Sequence, residues 1–158
     1  MPRGNSKIHR KPIEPDSKYG SVVLSKFINK LMWDGKKSVA ISIINDSFEI
    51  IEKKTGKKAI DVFNEAIKNV SPTLKVRSRR IGGANYQIPM EVKKDQKIMY
   101  AIKWIIDAVR AKKGRSTPEE LAEELILASE NQGAAIKKKD DTHRMAEANR
   151  AYAHYARF

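Results

Sequence analysis

Lys75 to Pro89 reads KVRSRRIGGANYQIP, two short extended runs on either side of Gly82-Gly83. A Gly-Gly pair between such runs signals a two-residue hairpin turn, because both central positions need positive φ and glycine takes it without a Cβ clash. With that turn, Arg80 lies opposite Asn85, Arg79 opposite Tyr86, Ser78 opposite Gln87 and Arg77 opposite Ile88. The first strand carries four basic residues, Lys75, Arg77, Arg79 and Arg80, and neither face of the outer half is apolar. A hairpin laid on a hydrophobic body shows one apolar face. Only the inner end, with Leu74, Val76, Met90 and Val92, has residues for that. The expectation is an arm at about 73–91 whose base packs and whose tip projects, gaining order from whatever it touches.

On both sides of the arm the hydrophobic period becomes helical. From Ser17, the stripe Val23, Leu24, Phe27, Ile28 and Leu31 predicts a first helix, broken at Asp34-Gly35. Ala40, Ile43, Ile44, Ser47, Phe48 and Ile51 predict a second, with Lys53 and Lys54 at its negative end and Gly56 as its stop. Ala59, Ile60, Phe63, Ala66, Ile67 and Val70 predict a third, ended at Ser71-Pro72 because proline pushes the preceding residue out of the α region. Beyond the arm, Asp95 is the expected cap of a fourth helix with Ile98, Ala101, Ile102, Ile105 and Val109 inward, finishing at Gly114. In STPEEL, Thr117 reads as N-cap, Pro118 as first helical residue and Glu120 as the partner in a capping box, with Leu121, Leu125 and Ala128 inward. A sixth helix begins between Ala134 and Asp141, one stripe (His143, Glu147, Arg150, His154, Arg157) wet and another (Met145, Ala148, Tyr152, Tyr155) packing. The fold class is mainly α: a six-helix, bundle-like single domain over 17–158 with a protruding two-stranded β-arm. Residues 1–16, with three prolines and no apolar period, read as a flexible basic tail.

The charge points to a partner. The chain of 158 residues carries 32 Lys and Arg against 19 Asp and Glu, net +13, a surplus that repels itself unless a polyanion neutralises it. It is not evenly spread. Residues 1–13 hold four basic and no acidic residues and 75–115 hold twelve and three, whereas 14–74 hold ten and eight and 116–158 six and eight. Such a localised footprint is what nucleic-acid binders show. Arginine suits phosphate through its planar fork of donors, and the two glycines allow close backbone approach. Two readings stand for Tyr86: a ring on which an unpaired base stacks, or a cross-strand partner of Arg79. Lys93, Lys94, Lys97, Arg110, Lys112, Lys113 and Arg115 extend the basic surface along both ends of the fourth helix. Trp104 on that helix reads as core edge rather than a stacking platform.

Other classes are poorly served. There is no cysteine and no apolar run of membrane-span length. His143 and His154, eleven residues apart on one face, would stand ~16 Å apart along a helix, too far to share a proton or a metal; His9 lies in the tail. No nucleophile elbow, P-loop, H-E-x-x-H or dinucleotide fingerprint occurs. Neither an enzyme, a cofactor, a metal site nor a small-molecule substrate is expected. A DNA-bending architectural protein with basic β-arms is the alternative, kept open by Ile81 near the tip.

LMWDGKKS (31–38), SRRIGGANYQIP (78–89), AIKWIIDAVR (101–110) and KKKDDTHRMAEANRAYAHYARF (137–158), in this order and spacing, resemble the bacterial-type family of small-subunit ribosomal protein number seven over almost the entire chain. Trp33 departs from the family's pattern, where a smaller aliphatic residue is more usual. The resemblance implies a cytoplasmic ribosomal protein that binds the three-prime major domain of small-subunit ribosomal RNA, nucleates assembly of the subunit head, and lies near the exit-site tRNA and the messenger path. It implies RNA contacts for Arg3, Lys7, Arg10 and Lys11 of the tail, Lys36 and Lys37 of the first helix linker, and Arg77, Arg79 and Arg80 of the arm. The tip at Gly82, Gly83 and Tyr86 would approach tRNA or messenger. The last helix, with Arg144 and Arg150, would serve RNA and neighbouring ribosomal protein number eleven, ribosomal protein number nine being another neighbour.

Overall fold

Ser21 opens the ordered helical body: its hydroxyl accepts from the Leu24 amide, and helix α1 (Val22–Leu31) starts there rather than at Ser17, whose segment forms a turn folded on the Asp16 carboxylate. The computed structural model describes residues 12–157. After α1 come α2 (Lys37–Thr55), α3 (Ala59–Val70), strands β1 (Leu74–Ile81) and β2 (Ala84–Glu91), α4 (Lys94–Ala111), α5 (Thr117–Ser129) and α6 (Ala134–Ala148). A 3₁₀ segment, Arg150–Arg157, follows. The described chain is thus mainly helical with one two-stranded antiparallel sheet.

The stripes found their places in one core. Phe27 meets Phe63 edge-on with ring centroids 5.4 Å apart, and Phe48 and Tyr19 extend the cluster. Leu24, Ile28, Ile44, Ile51, Val70, Ile102 and Ile105 close round it. Helix α5 runs through the middle, packing on α2, α3, α4 and α6, with Leu121, Ala122, Leu125 and Ala128 fully buried. Gly56 ends α2 in the left-handed region at φ 66°, as expected of a stop. On α3, Ile60 is only half-buried and Val62 is buried instead.

Two predicted caps move. Asp95 lies in the first turn of α4 and Lys93 takes the cap position, so the carboxylate acts on the helix dipole rather than as a cap. Ser116, not Thr117, caps α5, without a side-chain hydrogen bond. Glu120 then cannot close a capping box; it turns inward and lies 3.6 Å from Lys112 Nζ. The physical reason lies one turn on. The Glu124 side chain is wholly buried, its Oε1 accepting the Ala135 amide at 2.9 Å and so capping α6, its Oε2 lying 3.1 Å from Lys112 Nζ in an ion pair off the line of a hydrogen bond. Glu124 thus ties the α4–α5 link, α5 and α6 together. Burial opposes the charge of Lys112, but the Glu124 carboxylate, helped by Glu123 and Glu120, wins and raises its pKa above the ordinary 10.5.

Candidate nucleic-acid interface

The arm has the expected register: Arg80 opposite Asn85, Arg79 opposite Tyr86, Ser78 opposite Gln87 and Arg77 opposite Ile88. Gly82 and Gly83 turn it with φ of 55° and 89°, both positive as the mirror-image turn requires. Opposed residues share a face, so Lys75, Arg77, Arg79, Tyr86, Ile88 and Met90 line one side. Arg77, Arg79 and Arg80 are exposed, and among the described residues no carboxylate pairs with them.

The arm does not stand as free as its sequence suggests. Ile88, in its second strand, is only 2 % exposed, and Tyr86 packs on Tyr152 and Tyr155 with ring centroids 5.0 and 6.0 Å away. Arg79 Nη1 donates to the Tyr155 carbonyl at 3.2 Å. Tyr86 is therefore a packing residue, its partners being these two tyrosines rather than Arg79 alone. The cause is a change of winding. Helix α6 ends at Asn149, whose amide nitrogen donates to the Met145 carbonyl, and the chain continues as 3₁₀ helix. With three residues per turn, positions three apart eclipse, which sets Tyr152 and Tyr155 on one side, against β2. The expected packing stripe also fails inside α6 itself: Met145 and Ala148 are exposed and Ala146 is buried. His143, expected on the wet side, instead takes the Thr73 amide at 3.1 Å on Nε2, fastening the arm's base to α6.

The remaining basic residues fall into two uses. At the arm's base Lys75 Nζ bonds Gln96 Oε1 at 3.0 Å, which brings Lys75 to the exposed Lys93 and Lys94 and the half-buried Lys97 at the start of α4. At the other end of α4, Arg110 Nη2 donates to the Leu31 carbonyl at 3.1 Å and its guanidinium lies 4.9 Å from the centre of the Trp33 ring. This places it beside the linker bearing Lys36 and Lys37, both exposed. Lys36 caps α2 with no side-chain hydrogen bond and no acid in the first turn, so two cations face the positive end of the dipole. An anion bound there would relieve that repulsion. Lys113 is also exposed.

Lys112 serves the protein itself, as above, whereas Arg115 is exposed and pairs with Glu123 at 2.6 Å. Arg144 and Arg150 make exposed pairs with Asp141 and Glu147 one turn away, contacts too weak to keep them from a phosphate. Arg3, Lys7, Arg10 and Lys11 lie outside the described residues. Trp104 packs at the core edge, as its position on α4 suggests, with Tyr100 beside it at 5.7 Å. The sequence reading missed the Trp33–Arg110 stack; it placed Tyr152 and Tyr155 on a packing side but did not find that they pack on the arm. Among the described residues no cluster of three or more metal-binding side chains occurs, and no helix is long and apolar enough to cross a membrane.

Comparison with known proteins gives the family. The family model of ribosomal protein S7p/S5e matches residues 2–150. The small ribosomal subunit protein uS7 of Thermotoga neapolitana is 56% identical over 146 residues, 92% of this chain and 94% of that protein. That of Thermotoga petrophila is 54% identical over 155 residues, 98% of this chain and 99% of its own length. The uS7 of Methylobacterium nodulans is 52% identical over 146 residues, 92% and 94% of the two chains. Matched along nearly its whole length, with arm, linker and last helix all inside the match, the chain belongs to the ribosomal protein S7p/S5e family.

Proposed function

We propose that this protein is a primary RNA-binding protein of the small ribosomal subunit, which nucleates assembly of the subunit head by holding the three-prime major domain of its RNA. Membership of the family makes it a structural, non-enzymatic protein of the cytoplasmic ribosome. The finer reading rests on one observation: Arg77, Arg79 and Arg80 sit exposed on a two-stranded arm with no carboxylate partner among the described residues. Two cationic groups at the ends of α4 continue that surface, one with the half-buried Lys75 and the exposed Lys93 and Lys94, the other with Lys36, Lys37 and Arg110. An arm and a helix meeting RNA at separated points recognise a junction by shape and phosphate position. Binding then fixes the directions of RNA helices and makes the next assembly step more favourable.

The basic tail, Arg3, Lys7, Arg10 and Lys11, adds phosphate contacts in this reading. The arm's tip at Gly82 and Gly83 approaches exit-site tRNA or messenger, and the last helix, with Arg144 and Arg150, meets ribosomal protein number eleven, with number nine nearby. The DNA-bending alternative needs an apolar wedge at the tip, and Ile81 is half-buried within the strand pair. The deciding experiment is binding to a transcribed head-domain RNA fragment across a salt series, with duplex DNA as competitor. The expected result is a steep loss of affinity with salt, about 0.7–0.9 log units per log unit of salt for each phosphate neutralised, and survival of the complex against duplex DNA. A flat salt response, or displacement by equal duplex DNA, refutes the proposal.

A further inference from the structure

Between the end of α1 and the first half of α4 lies a cleft of about 270 Å³, lined by Lys30, Gln96, Met99, Tyr100 and Lys103. It sits on the same helix as the two cationic groups and between them. Met99 and Tyr100 make part of its lining apolar and aromatic. Met99 is 45% exposed, an unusual outlay for a long thioether side chain on a helix whose other face is core. Tyr100 is half-buried, with Trp104 at 5.7 Å between ring centres and Lys75 Nζ at 5.9 Å from its ring centre. The rest of its lining is polar and cationic. Lys30 and Lys103 are exposed and, among the described residues, pair with no carboxylate. Gln96 gives its carbonyl to Lys75, which leaves its NH₂ donors for something else.

We propose that this cleft receives one unpaired nucleobase of the bound RNA, stacked on Tyr100 against Met99, with the Gln96 NH₂ donating to the base edge and Lys30 and Lys103 on the flanking phosphates. The volume lies below the roughly 300–1,000 Å³ of pockets for drug-sized ligands and suits a single planar group. RNA offers that group wherever a base is splayed from a loop or bulge, and proteins take such bases on aromatic rings with amide hydrogen bonds to their edges. The charge supports RNA as the occupant: a peptide would find two unpaired lysines in the lining, a nucleotide brings the anions they lack. The proposal rests on the RNA-binding reading and adds a site of base recognition to one otherwise made of phosphate contacts.

The test uses the full chain and the head-domain RNA fragment. Tyr100→Leu is expected to weaken binding about 5- to 100-fold, the range for losing one base stack, while the salt slope stays the same because no phosphate contact is lost. Tyr100→Phe keeps the ring and should bind as wild type. Met99→Glu, at an exposed position that cannot unfold the core, should weaken binding to a similar degree. Ultraviolet irradiation of the complex should join Tyr100 to a nucleobase, read by mass spectrometry of the digested conjugate. Wild-type affinity in both Tyr100→Leu and Met99→Glu overturns the cleft but leaves the RNA-binding function standing. Failure of the wild-type protein to bind the fragment overturns both.

Discussion

Two parts of one basic stretch put their charge to opposite uses. Arg77, Arg79 and Arg80 on the arm meet no carboxylate among the described residues, whereas Lys112 and Arg115, some thirty residues on, are bound to Glu120, Glu124 and Glu123 of α5. In sequence both belong to the same surplus, twelve basic residues against three acidic between 75 and 115. The difference is the partner's distance along the chain. The arm meets the C-terminal segment through tyrosine rings and a backbone carbonyl, which supply no counter-charge, and it has no acid of its own near its tip. The α4–α5 link packs beside a helix whose acids it can reach. Local charge excess therefore marks a candidate RNA surface, and tertiary packing decides which members of it are free to act.

The sharpest way to break this comparison is to remove the carboxylate that claims Lys112. Glu124→Ala deletes a buried ion pair and the α6 cap together and should lower stability by about 3–4 kcal/mol, measured by urea unfolding. RNA affinity below the melting range should hold within about twofold. Lys112→Met should also leave RNA affinity unchanged; a loss like that of an arm variant would show that Lys112 is shared with the RNA. The arm should behave in the opposite way. Replacing Arg77, Arg79 and Arg80 with alanine is expected to reduce RNA affinity about 30- to 100-fold, roughly 2–3 kcal/mol, and to shrink the salt slope by about 2–3 units. Thermal unfolding should shift little, since these side chains are exposed; a collapsed melting temperature would mean that the arm is part of the core.

How far the sequence carried these assignments follows the range of the forces involved. Helix stripes and the Gly-Gly turn are local, so α1 to α5 and the whole arm register could be read from spacing. Boundaries shifted where two neighbours competed for one role, as Ser116 and Thr117 did for the α5 cap. Glu120 and Glu124 were not recognised as interior because carboxylates at helical spacing normally face water; only Lys112 and the start of α6 make their burial affordable. The tyrosine cover on the arm was legible only in part, since Tyr152 and Tyr155 could be read as packing but their partner could not. The cover depends on the winding change after Asn149 and on a contact across some seventy residues. The surface's two groups at the ends of α4 were visible as residues, but their joining to Gln96, Leu31 and Trp33 was not.

The cover itself offers a milder test. Aromatic pairs contribute about 0.5–1.5 kcal/mol beyond their burial, so Tyr152→Ala should loosen the arm locally by about 1 kcal/mol. Amide exchange in β2 should quicken several-fold while exchange in α5 stays as it was. Equal exchange in β2 would mean that the strand pair holds itself, and that the C-terminal segment merely rests on it.

The smallest effect is expected at the arm's root, where His143 decides whether the unpaired region stays anchored to the paired one. Its Nε2 accepts the Thr73 amide, which requires a neutral ring with the proton on Nδ1. Burial, and then the nearby Lys139, hold its pKa below the ordinary 6.5 against the pull of Asp140. The unfolded chain consequently takes up this proton at a higher pH than the folded one, so folding is favoured by the neutral ring. That contribution is complete above about pH 6.5 and is lost as pH falls through the depressed folded value. Protonation sets an N–H against the Thr73 N–H and should release the root of β1, at about 1 kcal/mol or less. His143→Gln keeps an acceptor without a titrating ring and should flatten the pH dependence of Thr73 amide exchange between pH 7 and 5. If wild type and variant show the same profile, the anchor lies in the packing of α6 on β1 and not in this hydrogen bond.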